Sequence, residues 1–435
     1  MPDPVRFVLT SNSPGEVSGW LTPTVAALRE RYSTAEIHVF LPPCDFASGS
    51  EVEVVRRLPG VNGVYGPGEY LRFALAGLWP PGLPRRGPGA VLFLGGDLFH
   101  AVVLSRRLGL PAFAYTEGFA RWFGSFRRFF LPDQLALERA IRRYGAPATK
   151  LEVVGNLMVD AVQQALAADR TLAATSTRPS QLPSALVNSS FLLLLPGSRP
   201  PEFRQVFGLF VQAAALLQRM QPVVLLSPFI SWSTVEGVLL AARRQPDQFL
   251  CPVGGVLVPA TADLALPGNV GSESRLLVAD DGWSLPIYQV TAAVRYQLMA
   301  RAKAALCLPG TSTMEMATLG LPAVVALPLQ RPDLIPLPGL AGTLGKLPVA
   351  GRWVRKAVVE RLAARRGWLA LPNIIADAQI MPEVRGRVTP ENLARSLAEL
   401  LDEEPEWRRS RLREVAGPAG AARRLVASVA RELQL

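Results

Sequence analysis

Carboxylates, one arginine and a run of hydroxyls stand directly after short apolar stretches, where they could serve a group transfer. Asp97 follows Leu92-Phe93-Leu94-Gly95-Gly96, and the two glycines admit close approach of a ligand. A carboxylate so placed can take the proton of a hydroxyl as a general base. It would equally serve as N-cap of a helix beginning near Phe99. Glu16, in the first turn after an opening strand, is a second candidate catalytic carboxylate on the same crevice. Its structural alternative is a favourable interaction with the helix dipole.

Gly310-Thr311-Ser312-Thr313-Met314-Glu315 follows the apolar run Ala304–Leu308. Amides at a helix start have no internal partners and carry the positive end of the dipole, so with three hydroxyls beside them they suit a phosphate. Glu315, about one turn in, could accept from a ribose hydroxyl; the bland alternative is a capping box closed by that Glu. Arg199, in Pro196-Gly197-Ser198-Arg199, could hold a diphosphate bidentately or lie on the surface, with Ser198 capping the next helix. The two histidines, His38 and His100, have no Cys or second His nearby and read as core or edge residues, so no metal is expected. Neither a Ser-His-Asp arrangement nor a Walker-type loop is present.

The elements that must position these residues follow a strand–turn–helix rhythm. Val5–Thr10 ends in a Gly-containing turn and a helical stretch to about Arg31; short apolar runs recur at Ile37–Leu41, Ala90–Gly95, Ala112–Tyr115 and Leu151–Gly155. Phe191–Leu195 restarts the rhythm, and strands follow at Val223–Leu226, Leu276–Ala279, Ala304–Leu308 and Ala323–Ala326. Such alternation predicts two doubly wound, Rossmann-like α/β domains with a cleft between them. Residues 1–170 form the first, completed by closing helices at about 405–435; 171–188, rich in Ser, Thr, Pro and Ala, is a linker; 189–404 form the second.

At 435 residues, 49% apolar and 19% charged, the chain can build two cores. The net charge of +11 is carried by Arg, with Lys only at 150, 303, 346 and 356, and favours acidic partners. Three scattered cysteines predict a reducing compartment without a disulfide framework. The N-terminus lacks the regions of a signal peptide, and no uncharged apolar run reaches spanning length, so the expected location is cytoplasmic or peripheral on the inner membrane face. Residues 70–86 and 119–130 mix aromatic and basic side chains and would contact an anionic membrane, or pack as ordinary amphipathic elements. No nucleic-acid module is present, and nucleic acid is not an expected partner.

In order along most of the chain, the motifs resemble the lipid-A-disaccharide synthase family of GT-B glycosyltransferases. Gly15-Glu16-Val17-Ser18-Gly19 resembles its opening motif, Gly96-Asp97 its essential Asp, and Val154-Gly155-Asn156-Leu157-Met158-Val159-Asp160 its Val-Gly-His-Pro-Leu-x-Asp. Leu195-Pro196-Gly197-Ser198-Arg199-Pro200-Pro201-Glu202, Gly310 to Glu315, Leu371-Pro372-Asn373 and Pro382-Glu383 match the donor-side motifs. The resemblance implies inverting transfer of 2,3-diacylglucosamine from its UDP donor to 2,3-diacylglucosamine 1-phosphate, giving a β-1,6 disaccharide and UDP without a cofactor. Asp97, with Glu16, would be catalytic. Gly197, Ser198, Arg199, Gly310, Thr311, Ser312, Thr313, Glu315, Asn373 and Glu383 would hold the donor, and Gly15, Ser18 and Asn156 the lipid-like acceptor.

Departures from the family pattern gather on the acceptor side: Trp20 replaces an Asp, Asn156 a His, and Gly386 a Gln, while Pro309 stands for a Ser. Residues 228–285 and 329–350 are longer and richer in Pro than the family norm. The alternatives are another UDP-sugar-dependent GT-B enzyme with a different lipid or sugar acceptor, and a non-catalytic paralogue binding lipid or nucleotide. The retained Asp97, Arg199 and Glu315 speak against the second.

Overall fold

The computed structural model describes residues 4–44, 47, 49–175, 182–187, 189–266, 272–330, 367–403 and 405–435. The chain divides into two compact units, Met1–Gln164 with Gly417–Leu435, and Ala165–Ala416.

The first unit is built on seven parallel strands: β1 (Arg6–Thr10), β2 (Glu36–Phe40), β3 (Gly63–Tyr65), β4 (Gly89–Phe93), β5 (Ala112–Tyr115), β6 (Phe126–Leu131) and β7 (Leu151–Val153). Their order is β3-β2-β1-β4-β5-β6-β7, with Thr10 opposite Phe93. Every residue of β1 and β4 is buried, as expected of central parallel strands covered on both faces. The order reverses between β1 and β4, so the loops after them flank the switch point where such sheets bind ligands.

The second unit has eight strands: β8 (Phe191–Leu195), β9 (Gln221–Leu226), β10 (Gly255–Pro259), β11 (Glu273–Ala279), β12 (Ser284–Gln289), β13 (Ala304–Cys307), β14 (Ala323–Pro328) and β15 (Glu383–Gly386). They run β10-β11-β12-β9-β8-β13-β14-β15, and the pairs β10–β11 and β11–β12 are antiparallel. The long segment 228–285 therefore supplies a helix, Trp232–Arg244, and an antiparallel extension of the sheet edge. Residues 331–350 of the other long segment, 267–271 of this one, and 176–181 and 188 of the expected linker lie outside the described residues.

The two closing helices part company. Pro405–Ala416 belongs to the second unit, where the buried Arg408 donates to the Ile380 carbonyl and pairs with Glu403. Ala421–Leu433 returns to the first. Asp160 secures that return: its carboxylate accepts from the amides of Gly420 (2.5 Å) and Ala422 (2.6 Å), at the start of the helix.

Within 119–130, residues 126–130 differ from the membrane-facing reading, whereas Arg121 and Trp122 are exposed. Phe126, Phe129 and Phe130 are fully buried in β6, Arg128 pairs with Glu432 and Glu152, and Arg127 donates to the Glu432 carbonyl. The phenylalanines are buried within the sheet and the arginines are held by Glu152 and the closing helix, which accounts for the aromatic–basic pattern there.

Candidate active site

In the first unit the loops after β1 and β4 interlock. Glu16 accepts from the amides of Ser13 (3.1 Å) and Gly96 (3.2 Å), so one carboxylate ties both loops together. Gly95 (φ +130°) and Gly96 (φ +91°) make this contact possible. A Cβ on Gly95 would overlap the Glu16 carboxylate, and one on Gly96 would lie 2.5 Å from Oδ1 of Asn12. Burial pushes the Glu16 carboxyl above its ordinary range, against the opposing pull of those amides. Both oxygens of Glu16 are thus engaged in holding the two loops together.

Asp97 is exposed where β4 hands over to the helix Leu98–Leu108. Its Oδ1 accepts from the Phe99 amide (2.8 Å), so the N-cap role is real. Oδ2 has no hydrogen-bond partner among the described residues, so the carboxylate keeps a face toward solvent. Cap and base are thus compatible: the cap fixes the group that would act.

Gly15 and Ser18 lie partly exposed around the turn from Pro14–Glu16 into the π-helical Val17–Leu21. Asn156 caps the helix Leu157–Thr175 through the Met158 amide (3.0 Å), and a Cβ on Gly19 would touch the Met158 side chain at 3.0 Å. These three residues therefore share one locality. Trp20 is buried edge-on against Tyr115, with ring centroids 5.2 Å apart. Side-chain polar atoms of Thr10, Ser11, Asn12, Trp20 and Thr116 are buried without a partner among the described residues; all but Trp20, which lies in the π-helical Val17–Leu21, are at the carboxyl ends of β1 and β5 or in the turn after β1. Buried polar atoms are rarely left so, and this concentration marks the edge at which water or a ligand would complete the bonds. No motif pointed to Thr10, Ser11 or Thr116; their position at strand ends was the available signal.

The second unit sorts its predicted residues into an open layer and an inner one. Gly197, Ser198 and Arg199 follow β8, with Arg199 Nη1 paired to Glu202 at 2.6 Å. Gly310, Thr311 and Ser312 follow β13 and open the helix Thr311–Leu319. A Cβ on Gly197 would lie 3.1 Å from Leu308, so the two turns adjoin. The helix after Arg199 begins Pro200-Pro201 and lacks two amide donors, whereas Thr311–Leu319 begins with amide-bearing residues. An anion here would take amides from the second helix and a guanidinium from the first turn.

The inner layer departs from expectation. Thr313 is fully buried, donating to the Gly310 carbonyl (2.7 Å) and accepting from the Leu371 amide (3.3 Å). Asn373 Oδ1 accepts from the amides of Ile380 and Met381, each 2.8 Å away, and its Nδ2 donates to Glu383 (2.9 Å). Glu383 also accepts from the amides of Leu369 and Ala370 and pairs with Arg385. Thr313, Asn373 and Glu383 thus brace the turn beneath the helix start. Glu315 is nearly buried, paired with Arg295 (3.0 Å) and accepting from Tyr296 (3.1 Å). Burial works against the Arg295 charge, but Glu315 outweighs it and the guanidinium pKa is raised.

No family model matches the chain. It is 24% identical over 332 residues to the lipid-A-disaccharide synthase of Syntrophus aciditrophicus, covering 74% of this chain and 69% of that protein. It is 25% identical over 300 residues to the probable mitochondrial lipid-A-disaccharide synthase of Arabidopsis thaliana, covering 66% of this chain and about half (49%) of that one. Among solved structures, UDP-GlcNAc 2-epimerase from Neisseria meningitidis, bound to UDP-GlcNAc, superposes over 98% of this chain and 100% of that one with TM-score 0.57 at 12% identity. The S. aureus MnaA–UDP structure does so over 99% and 97% with TM-score 0.54 at 14% identity. The paired doubly wound units and the order of the motifs agree with these likenesses: the chain has a two-domain GT-B fold, and its sequence is similar to lipid-A-disaccharide synthases at 24–25% identity.

Proposed function

We propose that the protein transfers a 2,3-diacylglucosamine unit from its UDP donor to 2,3-diacylglucosamine 1-phosphate, with inversion. The observation that carries this reading is Asp97, exposed at the carboxyl end of a central strand with one carboxylate oxygen capped and the other open. Asp97 takes the proton of the acceptor's 6-hydroxyl as that oxygen bonds to the anomeric carbon. The bond from that carbon to UDP breaks, and the electron pair leaves on the diphosphate. Arg199, exchanging its Glu202 partner for the diphosphate, and the amides opening Thr311–Leu319 stabilise that charge. Glu315 retains lone pairs for a ribose hydroxyl beside its bonds to Arg295 and Tyr296.

The aliphatic chains of donor and acceptor suit a membrane surface. Leu71, Leu75 and Leu78 are exposed on and just after the helix Pro67–Ala76, Leu75 at 78%, with Arg72, Arg85 and Arg86 nearby in sequence. We place the peripheral contact on 70–86, at the inner membrane face. Among the described residues no helix is long and apolar enough to cross a membrane.

UDP release by the purified protein with UDP-2,3-diacylglucosamine, with and without the acceptor, tests the reading. Acceptor-dependent release and a disaccharide product are expected, with Asp97→Asn slowed about 100-fold or more. Wild-type turnover in Asp97→Asn would refute the base assignment. A second reading, a different lipid or sugar acceptor, is favoured by the buried Trp20 at an acceptor-side position. Donor binding without transfer to this acceptor would select it.

A further inference from the structure

His100 stands on the first turn of the helix that Asp97 caps, three residues on, so the two side chains share one face of that turn. Its Nδ1 lies 2.8 Å from the hydroxyl of Tyr70, and the two rings meet edge-on with centroids 4.9 Å apart. Tyr70 is buried at 2% exposure, and His100 is the only hydrogen-bond partner of its hydroxyl among the described residues. A buried hydroxyl is satisfied as a donor when Tyr70 gives its hydrogen to Nδ1, the arrangement that puts the imidazole proton on Nε2. Nε2 makes no hydrogen bond within the described residues and is open to solvent.

We propose that His100 is a substrate-binding residue of the acceptor side, offering Nε2–H to a sugar hydroxyl or phosphate oxygen of the acceptor while Tyr70 fixes the ring. This rests on the acceptor-side reading of the first unit given above. Burial holds the Tyr70 hydroxyl at about 12, so it stays a donor at neutral pH. Burial also lowers the His100 pKa, against the pull of Asp97, which keeps the ring neutral and the Nε2 proton a plain donor. Asp97 and His100 would then divide the work on one ligand: one removes a proton and the other orients the sugar.

With only two histidines in the chain, 15N-histidine spectra of the intact protein read the geometry without any turnover. The expected spectrum has a His100 signal with Nδ1 unprotonated and Nε2 protonated, absent in His100→Leu and scrambled between tautomers in Tyr70→Phe. Glucosamine 1-phosphate is expected to shift that signal and UDP to leave it unmoved; glucosamine alone shifts it too if a hydroxyl is the partner, and fails to if the phosphate is. In the transfer assay His100→Leu should raise the acceptor KM about tenfold with the donor KM unchanged, and His100→Gln, which keeps a donor near Nε2, should recover most of that loss. An Nδ1-protonated ring, or a signal that neither sugar moves, overturns the proposal even where transfer proceeds. Absence of transfer with the expected tautomer and sugar-induced shift overturns the transfer reading and leaves His100 in place.

Discussion

Gly95→Ala should damage the first unit far more than its single methyl suggests. The new Cβ would overlap the Glu16 carboxylate and come 2.8 Å from the Glu16 Cβ, on a backbone held at φ +130°. Backbone strain at such a position costs about 1–3 kcal/mol. Moving Glu16 aside loosens its bonds to the Ser13 and Gly96 amides, about 1–3 kcal/mol for each buried group left unsatisfied. The sum is about 3–5 kcal/mol after partial relaxation. Gly145→Ala is the matched control: it ends the helix Gln134–Tyr144 at φ +65° with nothing within 4 Å of its Cβ, so it bears a conformational cost alone, about 1–2 kcal/mol. Urea titration followed by hydrogen exchange of the β1 and β4 peptides reads the first unit by itself. Glu16→Gly removes the three atoms nearest the new Cβ, so in the double variant the Gly95→Ala penalty should shrink toward that of the control. Equal costs for the two alanines, or strictly additive effects of Gly95→Ala and Glu16→Gly, would refute the interlock.

Glu315→Ala strands the nearly buried Arg295 and should destabilise the second unit by about 3–5 kcal/mol, whereas Arg295→Met with Glu315→Leu should recover most of that loss in a thermal melt. Glu383→Ala frees the Leu369 and Ala370 amides and Asn373 Nδ2; a loss of about 2–4 kcal/mol is expected, with UDP affinity falling only as far as the turn beneath the helix loosens. Isothermal titration of UDP after each change separates brace from ligand contact. Burial, with Glu16 and Asp133 beside it and against the pull of Arg139, raises the Glu117 carboxyl above its ordinary 4.5. A raised folded pKa means its contribution is greatest below about 4.5 and is lost as pH climbs through the folded value, so Glu117→Gln should gain Tm relative to wild type between pH 4 and pH 8. A constant difference across that range would dismiss the linkage.

Residue type and spacing exposed the two doubly wound units because both depend on local pattern: apolar runs of strand length, then a turn with glycine, then a helix. The placement of Asp97, Arg199 and the Gly310 turn directly after strands was legible for the same reason, since a strand followed by a turn is itself a local pattern. What stayed hidden is pairing across distance. Nothing local tells that Glu16 would be held by Gly96, 80 residues on, or that Asn373 and Glu383 would bond to each other beneath the helix. A polar residue of a motif near a site has two ways to matter, by touching the ligand or by holding the turn that does, and sequence position alone does not separate them. β6 failed in the opposite sense: its arginines looked like a basic membrane edge until Glu152 and the closing helix supplied their partners. His100 joins both lessons. Read alone it is an isolated ring with no metal partner, but Tyr70, 30 residues earlier, brings its hydroxyl to 2.8 Å from Nδ1. The functional face of this chain is therefore set by partners contributed from neighbouring strand ends, and the motifs mark where those partners converge.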